Sequence, residues 1–375
     1  MISFKLSSTC RRSPTARLGL LLAAVLCGVA TLCVAVAPVL QDVLDVPAKM
    51  SPLALKSPLL GIAAAGDKVV AVGVRGTVLR SADAGTSWTQ VTMPVSADLT
   101  SVRFTSGDTA WAIGHDAAVL RSDDAGQTWA RVLDGRGLFT LMTQHYRKLA
   151  SGGNEEATRI VAEVEGAAAL SATPGVLPYA FFDIWMGADG EGFLAGAFGF
   201  LLHTSDAGKT WEPWLERAEN DRRMHLYALE QGADGELYLV GEQGLVRRYD
   251  RKAARFVTVE TPYNGTFFGL KSVPAGLIAY GLRGNAFLSA DGARSWAPID
   301  LGSEATVVAT LAPNADQLVF VTRSGQVLLS KDGGKSVADQ GFARNGDVLA
   351  AAMVGNDQLA LARINGVQVV RLAPR

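Results

Sequence analysis

Five segments of this chain repeat one pattern, Ser/Thr-x-Asp-x-Gly-x-Ser/Thr-Trp, decaying only at single positions. They carry Ser81, Asp83, Gly85 and Trp88; Ser122, Asp124, Gly126 and Trp129; Thr204, Asp206, Gly208 and Trp211; Ser289, Asp291 and Trp296; and Ser330, Asp332 and Gly334. Their first residues lie 41, 82, 85 and 41 positions apart, a single period of about 41 that is twice skipped. A turn signature returning at such a period requires one supersecondary unit built again and again, which predicts a β-propeller.

The second unit shows the whole pattern. Thr100–Thr105, Thr109–Gly114, Ala118–Ser122 and Trp129–Val132 are four short alternating or β-branched runs separated by turn residues, read as strands a to d of an antiparallel meander. Strand b tends to end in Gly, with a second Gly three residues on, as at Gly73/Gly76, Gly196/Gly199, Gly241/Gly244 and Gly281/Gly284. That spacing suits a tight turn with positive φ. The second glycine also recurs at Gly325 and Gly366, and Ala117 takes its place in the second unit, which brings the total to seven units. One extra unit, Gly244–Phe256, has Phe in place of Trp and no clean Asp turn. The other, from Asp347, has strands a, b and c only, so the segment Lys49–Lys56 is expected to supply the missing strand and close the ring.

The expected fold is therefore all-β: a seven-bladed propeller of four-stranded antiparallel blades over residues 59–375, preceded by a linker and ring-closing strand at 38–58. Between the second and third clear units the strand pattern breaks. Leu138–Ala150 and Asn154–Val164 have helical apolar spacing around Gly152-Gly153, and Asn154 is a candidate N-cap with Glu155 and Glu156 behind it, predicting a helical hairpin within 137–171. The alternative is a disguised eighth blade.

The N-terminus differs in character. Residues 1–17 form a basic flank with Lys5, Arg11, Arg12 and Arg17, and Leu18–Val36 runs 19 residues without a charge, enough to span a bilayer core. Residues 18–37 are read as a signal peptide or an uncleaved transmembrane anchor, placing the body outside the inner membrane, in the periplasm. Cys10, Cys27 and Cys33 all fall in this leader, so the body has no thiol for redox or metal chemistry. The whole chain has a net charge of −1, which argues against a nucleic-acid partner. His115, His145, His203 and His225 show no i, i+4 pairing, and no metal or cofactor is expected.

With the boxes in hand, the chain resembles the Asp-box propellers, built of bacterial neuraminidase repeats. Its Gly-x-x-Gly unit followed by Ser-x-Asp-x-Gly-x-Thr-Trp is most similar to the photosystem II stability/assembly factor family and its non-photosynthetic bacterial relatives, over Leu59 to Leu372. The resemblance implies a non-enzymatic factor that binds a membrane protein or protein complex: photosystem II in a photosynthetic organism, an envelope complex elsewhere. The boxes themselves are read as scaffold, since a catalytic group is needed once and these recur.

Function is sought in residues that break the repeat. Arg75, Arg283, Arg323 and Arg363 fall in or beside b-to-c turns, on the face opposite the boxes, and are candidates for a basic patch that grips a carboxylate or acidic peptide through bidentate contacts. His115, with Asp116, is a further binding candidate. The family resemblance implies a basic surface that engages the client. A monomeric propeller is expected. The alternative is a sialidase-like carbohydrate-active enzyme or glycan-binding protein, which would need an Arg triad, a Tyr/Glu pair and an acid/base Asp. There is no Arg-Ile-Pro segment of the kind such enzymes carry near the start, and its closest analogue, Arg363-Ile-Asn, lies in the last unit.

Overall fold

The computed structural model describes residues 41–344 and 346–372. Among these, six sheets have four strands in simple meander order and one has three. The blades run over 59–90, 99–133, 181–213, 226–259, 267–298, 307–339 and 348–371. Each box acts as a c-to-d turn. In the first, Ser81 Oγ donates to Asp83 Oδ1 at 2.7 Å and accepts the Gly85 N–H at 2.9 Å. Asp83 also accepts the Ser87 N–H and hydroxyl, and Trp88 Nε1 returns a hydrogen bond to Gly85 O. One carboxylate thus satisfies the backbone of a whole turn. At Gly208, with φ +79°, an added Cβ would lie 2.5 Å from Trp111 of blade 2, so the box glycine also lets neighbouring blades close up. The decayed fourth box keeps its cap: Asp250 accepts the N–H groups of Lys252 and Ala253, and Phe256 is fully buried in place of Trp.

Two turn registers fix the faces of the disc. In four boxes the residue after the aspartate donates its N–H to the a-to-b turn: Ala84 to Asp67, Ala125 to Asp108, Ala207 to Gly190 and Gly333 to Asp316. On the other face, the first residue of each b-to-c turn donates to the carbonyl that precedes strand a: Val74 to Pro58, His115 to Asp98, Ala197 to Ala180, Glu242 to His225, Leu282 to Thr266, Arg323 to Thr306 and Ile364 to Asp347. The two paired glycines have separate causes. A Cβ on Gly73 would meet Pro58 O at 2.1 Å, whereas Gly76 takes φ +66° behind Arg75 at φ 54°, as the middle of a type I′ turn requires.

The predicted hairpin is present as α1 (Gly135–Ser151) and α2 (Glu155–Leu170), in the crossover from blade 2 to blade 3. Asn154 caps α2 by accepting the Ala157 N–H. Asp134, which the sequence reading passed over, caps α1 two residues earlier than expected by accepting from Arg136 and Gly137. Leu138, Met142 and Tyr146 on α1, with Ile160 and Val164 on α2, bury against Trp111 and Phe181, so the hairpin shares a core with blades 2 and 3 and forms no eighth blade.

Ring closure differs from expectation. Residues 49–56 form no strand, and blade 7 keeps three. Pro52 lacks the N–H a ladder needs, and Ala54–Lys56 coil into a 3₁₀ turn. The preceding stretch lies along the outer edge of blade 1 instead, where Ala48 N–H donates to Met93 O and Ser51 N–H to Gln90 Oε1. The ring is closed by packing: Leu59, Val69 and Ala71 of blade 1 bury with Ala352, Val354 and Ala360 of blade 7. The basic flank, the 18–37 segment and its cysteines lie outside the described residues; among the described residues no helix is long and apolar enough to cross a membrane.

Candidate functional site

Every innermost strand carries a β-bulge at the same place. Leu59 pairs with Gly73 and Gly61 with Val72, leaving Leu60 unpaired; the equivalent shifts leave Thr100, Phe182, Tyr227, Phe268, Val308 and Leu349. A bulge re-aims the side chain of its extra residue. All seven bulged residues line one pocket of about 340 Å³ at the mouth of the central channel, on the face of the b-to-c turns.

The rim is apolar and lopsided. Phe182 stacks on Tyr227 at 5.1 Å between centroids, and Tyr227 meets Phe268 edge-on at 5.0 Å, which makes an aromatic arc over blades 3, 4 and 5. Burial, with Glu242 nearby, pushes the Tyr227 phenol up, so it remains a neutral donor. Thr100, the polar member of the rim, turns its hydroxyl back to Phe181 O at 2.5 Å. Behind the arc, His225 packs against Phe182 and Phe198, and Phe198 in turn against Tyr179. Phe198 stands at the tip of its turn with φ 54° and is 51% exposed, a strained position for a bulky side chain that faces solvent. Beside it a groove of about 370 Å³ runs between Phe198, Tyr179 and the α2 residues Ile160 and Val164.

Further along four of the inner strands lies a charge-matched set. Arg103 donates to Asp183, Glu230 and Leu229 O, and Lys271 approaches Glu230 at 3.4 Å. Burial works against the charge on Arg103, but Asp183 and Glu230 outweigh it and raise its pKa. Asp183 is further held by the N–H groups of Leu229 and Ile184.

The four arginines do not form one surface. Arg75 and Arg283 are exposed at the tips of the blade 1 and blade 5 turns. Arg323, in the first slot of the blade 6 turn, lines the channel mouth and pairs with Asp347 at 3.2 Å. Arg363 is not in a turn. It pairs with Val348 in the ladder position that Gly73 holds in blade 1, so its side chain is only 6% exposed and donates to Gln368. His115 is exposed in the first slot of the blade 2 turn, beside Asp116, whose carboxyl is pushed up by burial and by nearby Asp42 and Asp98. Asp98 also accepts the Arg75 N–H at 2.6 Å, so the sector around blades 1 and 2 mixes both signs.

Arg323 apart, the residues at the mouth, the seven bulged positions above all, were not singled out from the sequence. Their signal is positional: each stands 13 or 14 residues before the end of its strand b, and three of the seven are aromatic.

The box turns and seven sheets define the class, an Asp-box seven-bladed β-propeller. The family model described as photosynthesis system II assembly factor YCF48 matches residues 46–138, which span blades 1 and 2 and the start of α1. No curated protein matches the chain. Among solved structures, YCF48 bound to D1 peptide is similar at TM-score 0.62 and 16% identity, covering 87% of this chain and 98% of that one. YCF48 from Cyanidioschyzon merolae is similar at TM-score 0.59 and 16% identity, covering 86% and 98%. A streptogramin B lyase reaches TM-score 0.64 at 12% identity, covering 88% and 97%. At these identities the structural likeness speaks for the fold alone. Over residues 46–138 the chain is similar to the photosystem II assembly factor family, and over its described length it shares the β-propeller fold of those structures.

Proposed function

We propose that the protein is a non-catalytic binding or assembly factor for a membrane protein or protein complex, and that it grips an extended segment of that client on the b-to-c turn face. The observation that carries this reading is the bulge-built mouth, a concave pocket with an aromatic wall on a wide rigid face. Apolar tips at Phe198, Leu282 and Ile364, exposed by 51%, 36% and 52%, extend the same face. Arg75, Arg283 and Arg323 add positive charge around it, with His115 beside them. A YCF48 structure holds a D1 peptide, which supports peptide binding as the mode of action.

The leader would hold the disc beside the bilayer on the exported side, in the periplasm, as a monomer. Arg363, the analogue of the sialidase arginine, is buried in blade 7, and among the described residues Arg323 is the only charged one lining the mouth.

The test is affinity recovery of the tagged protein from solubilised membranes. Wild type is compared with a variant in which Arg75, Arg283 and Arg323 become Ala, and with a control bearing Lys209→Glu and Lys335→Glu on the box face. A membrane protein recovered by wild type and control but lost from the arginine variant is expected. Equal recovery by all three would sink the reading.

A further inference from the structure

We propose that the channel mouth is an anchor pocket for one bulky apolar side chain, aromatic or branched, that stands next to a carboxylate in an extended peptide. This rests on the client-binding reading above and names the chemistry that the site selects.

Three observations carry it. The walls come first. Phe182, Tyr227 and Phe268 pack on one another at 5.1 and 5.0 Å, so they offer fixed aromatic faces and lose little freedom when a ligand ring packs against them. The second observation is the next layer along the inner strands. Two cations, Arg103 and Lys271, face two anions, Asp183 and Glu230, and the oxygens of Asp183 are already taken by two backbone N–H groups and Arg103. A carboxylate brought to this neutral set would lose its water and meet Asp183 and Glu230, whereas an apolar side chain above it gives up no hydrogen bond.

The third observation is charge at the entrance. Arg323 is the sole charged side chain among the residues lining the pocket. Its partner Asp347 holds it at 3.2 Å, but the two side chains are 60% and 48% exposed, and a solvated pair of this kind contributes little. A guanidinium has five N–H donors in a planar fork, so Arg323 can accept a second carboxylate without abandoning Asp347. The complementary ligand therefore places its negative charge beside the buried apolar side chain, at the lip, and not within the pocket.

The experiment uses dye-labelled, end-blocked hexapeptides in a Gly/Ser background, read by fluorescence anisotropy. The probe carries a phenylalanine followed by a glutamate; the comparators replace the phenylalanine with alanine, or the glutamate with lysine. Wild type is expected to bind the Phe-Glu probe at least about tenfold more tightly than either comparator. Arg323→Glu, a change at an exposed side chain, should reverse the order of the Phe-Glu and Phe-Lys peptides. Tyr227→Ala should weaken both Phe peptides alike, with near-UV circular dichroism reporting that the ring of blades is intact. Equal binding of the Phe and Ala peptides, an unchanged order in Arg323→Glu, or no binding of the probe would each overturn the proposal. If the peptides show no preference while the membrane client is still recovered, only the anchor chemistry fails. If they rank as expected while no client is recovered, the pocket stands and the assembly reading falls.

Discussion

At the scale of single residues, the boxes and the mouth obey different rules. The box aspartates serve the turn and are held ionised by it. Hydrogen bonds from the following Ser or Thr draw Asp83, Asp206, Asp291 and Asp332 down to about 2, and at Asp124 the Thr128 bonds prevail over burial to the same value. A carboxyl whose pKa falls on folding adds stability that is complete above its unfolded value and disappears as pH falls through the folded one. Stability is therefore expected to drop between about pH 4 and pH 2, in a thermal or denaturant titration, and Asp206→Asn should flatten that drop. Gly208→Ala should lower stability by about 1–3 kcal/mol, since its Cβ would crowd Trp111. Phe198→Gly should do the opposite: removing a bulky residue from φ 54° relieves strain and leaves the melting temperature equal or higher, while client binding falls. A lower melting temperature would mean that Phe198 serves the fold.

The boxes could be read from the sequence because a turn with one hydrogen-bonding solution demands the same residue types each time. The rim could not. A bulge is a matter of register, and the bulged site accepts Leu60, Thr100 or Phe182 alike, so no residue type marks it. Arg363 does stand beside its turn, but pairing with Val348 at the end of the strand buries its side chain, which sequence spacing does not reveal.

At the scale of elements, the hairpin meets the end of blade 3 through an apolar seam with a few polar contacts, of which those of Tyr146 are the shortest. Tyr146 on α1 donates to Glu216 Oε2 at 2.6 Å and accepts the Leu215 N–H at 3.1 Å. Tyr146→Phe would leave the buried Leu215 N–H without its acceptor and take a donor from Glu216, a loss of about 1–3 kcal/mol. The effect should be local, with faster amide exchange along α1 and little change in the inner strands. Both helices were visible in the sequence from their caps and apolar spacing. The closing segment was not, because a count of strands per unit says that one is missing without saying what replaces it. Here blade-to-blade burial closes the ring, and the 3₁₀ turn Ala54–Lys56 sits against the last strand.

At the scale of the whole molecule, seven repeats of one bulge convert a scaffold into a site. The boxes occupy one face, and the mouth, the turn arginines and the helical insert's crossover occupy the other, so the two faces can be interrogated separately. The most direct measurement is site-specific photo-crosslinking in intact membranes, with the crosslinking residue placed at Phe268 in the mouth or at Lys209 on the box face. The account predicts a crosslink to a single membrane protein from Phe268 and none from Lys209. Crosslinks from Lys209 alone, or equal yields from both faces, would contradict it.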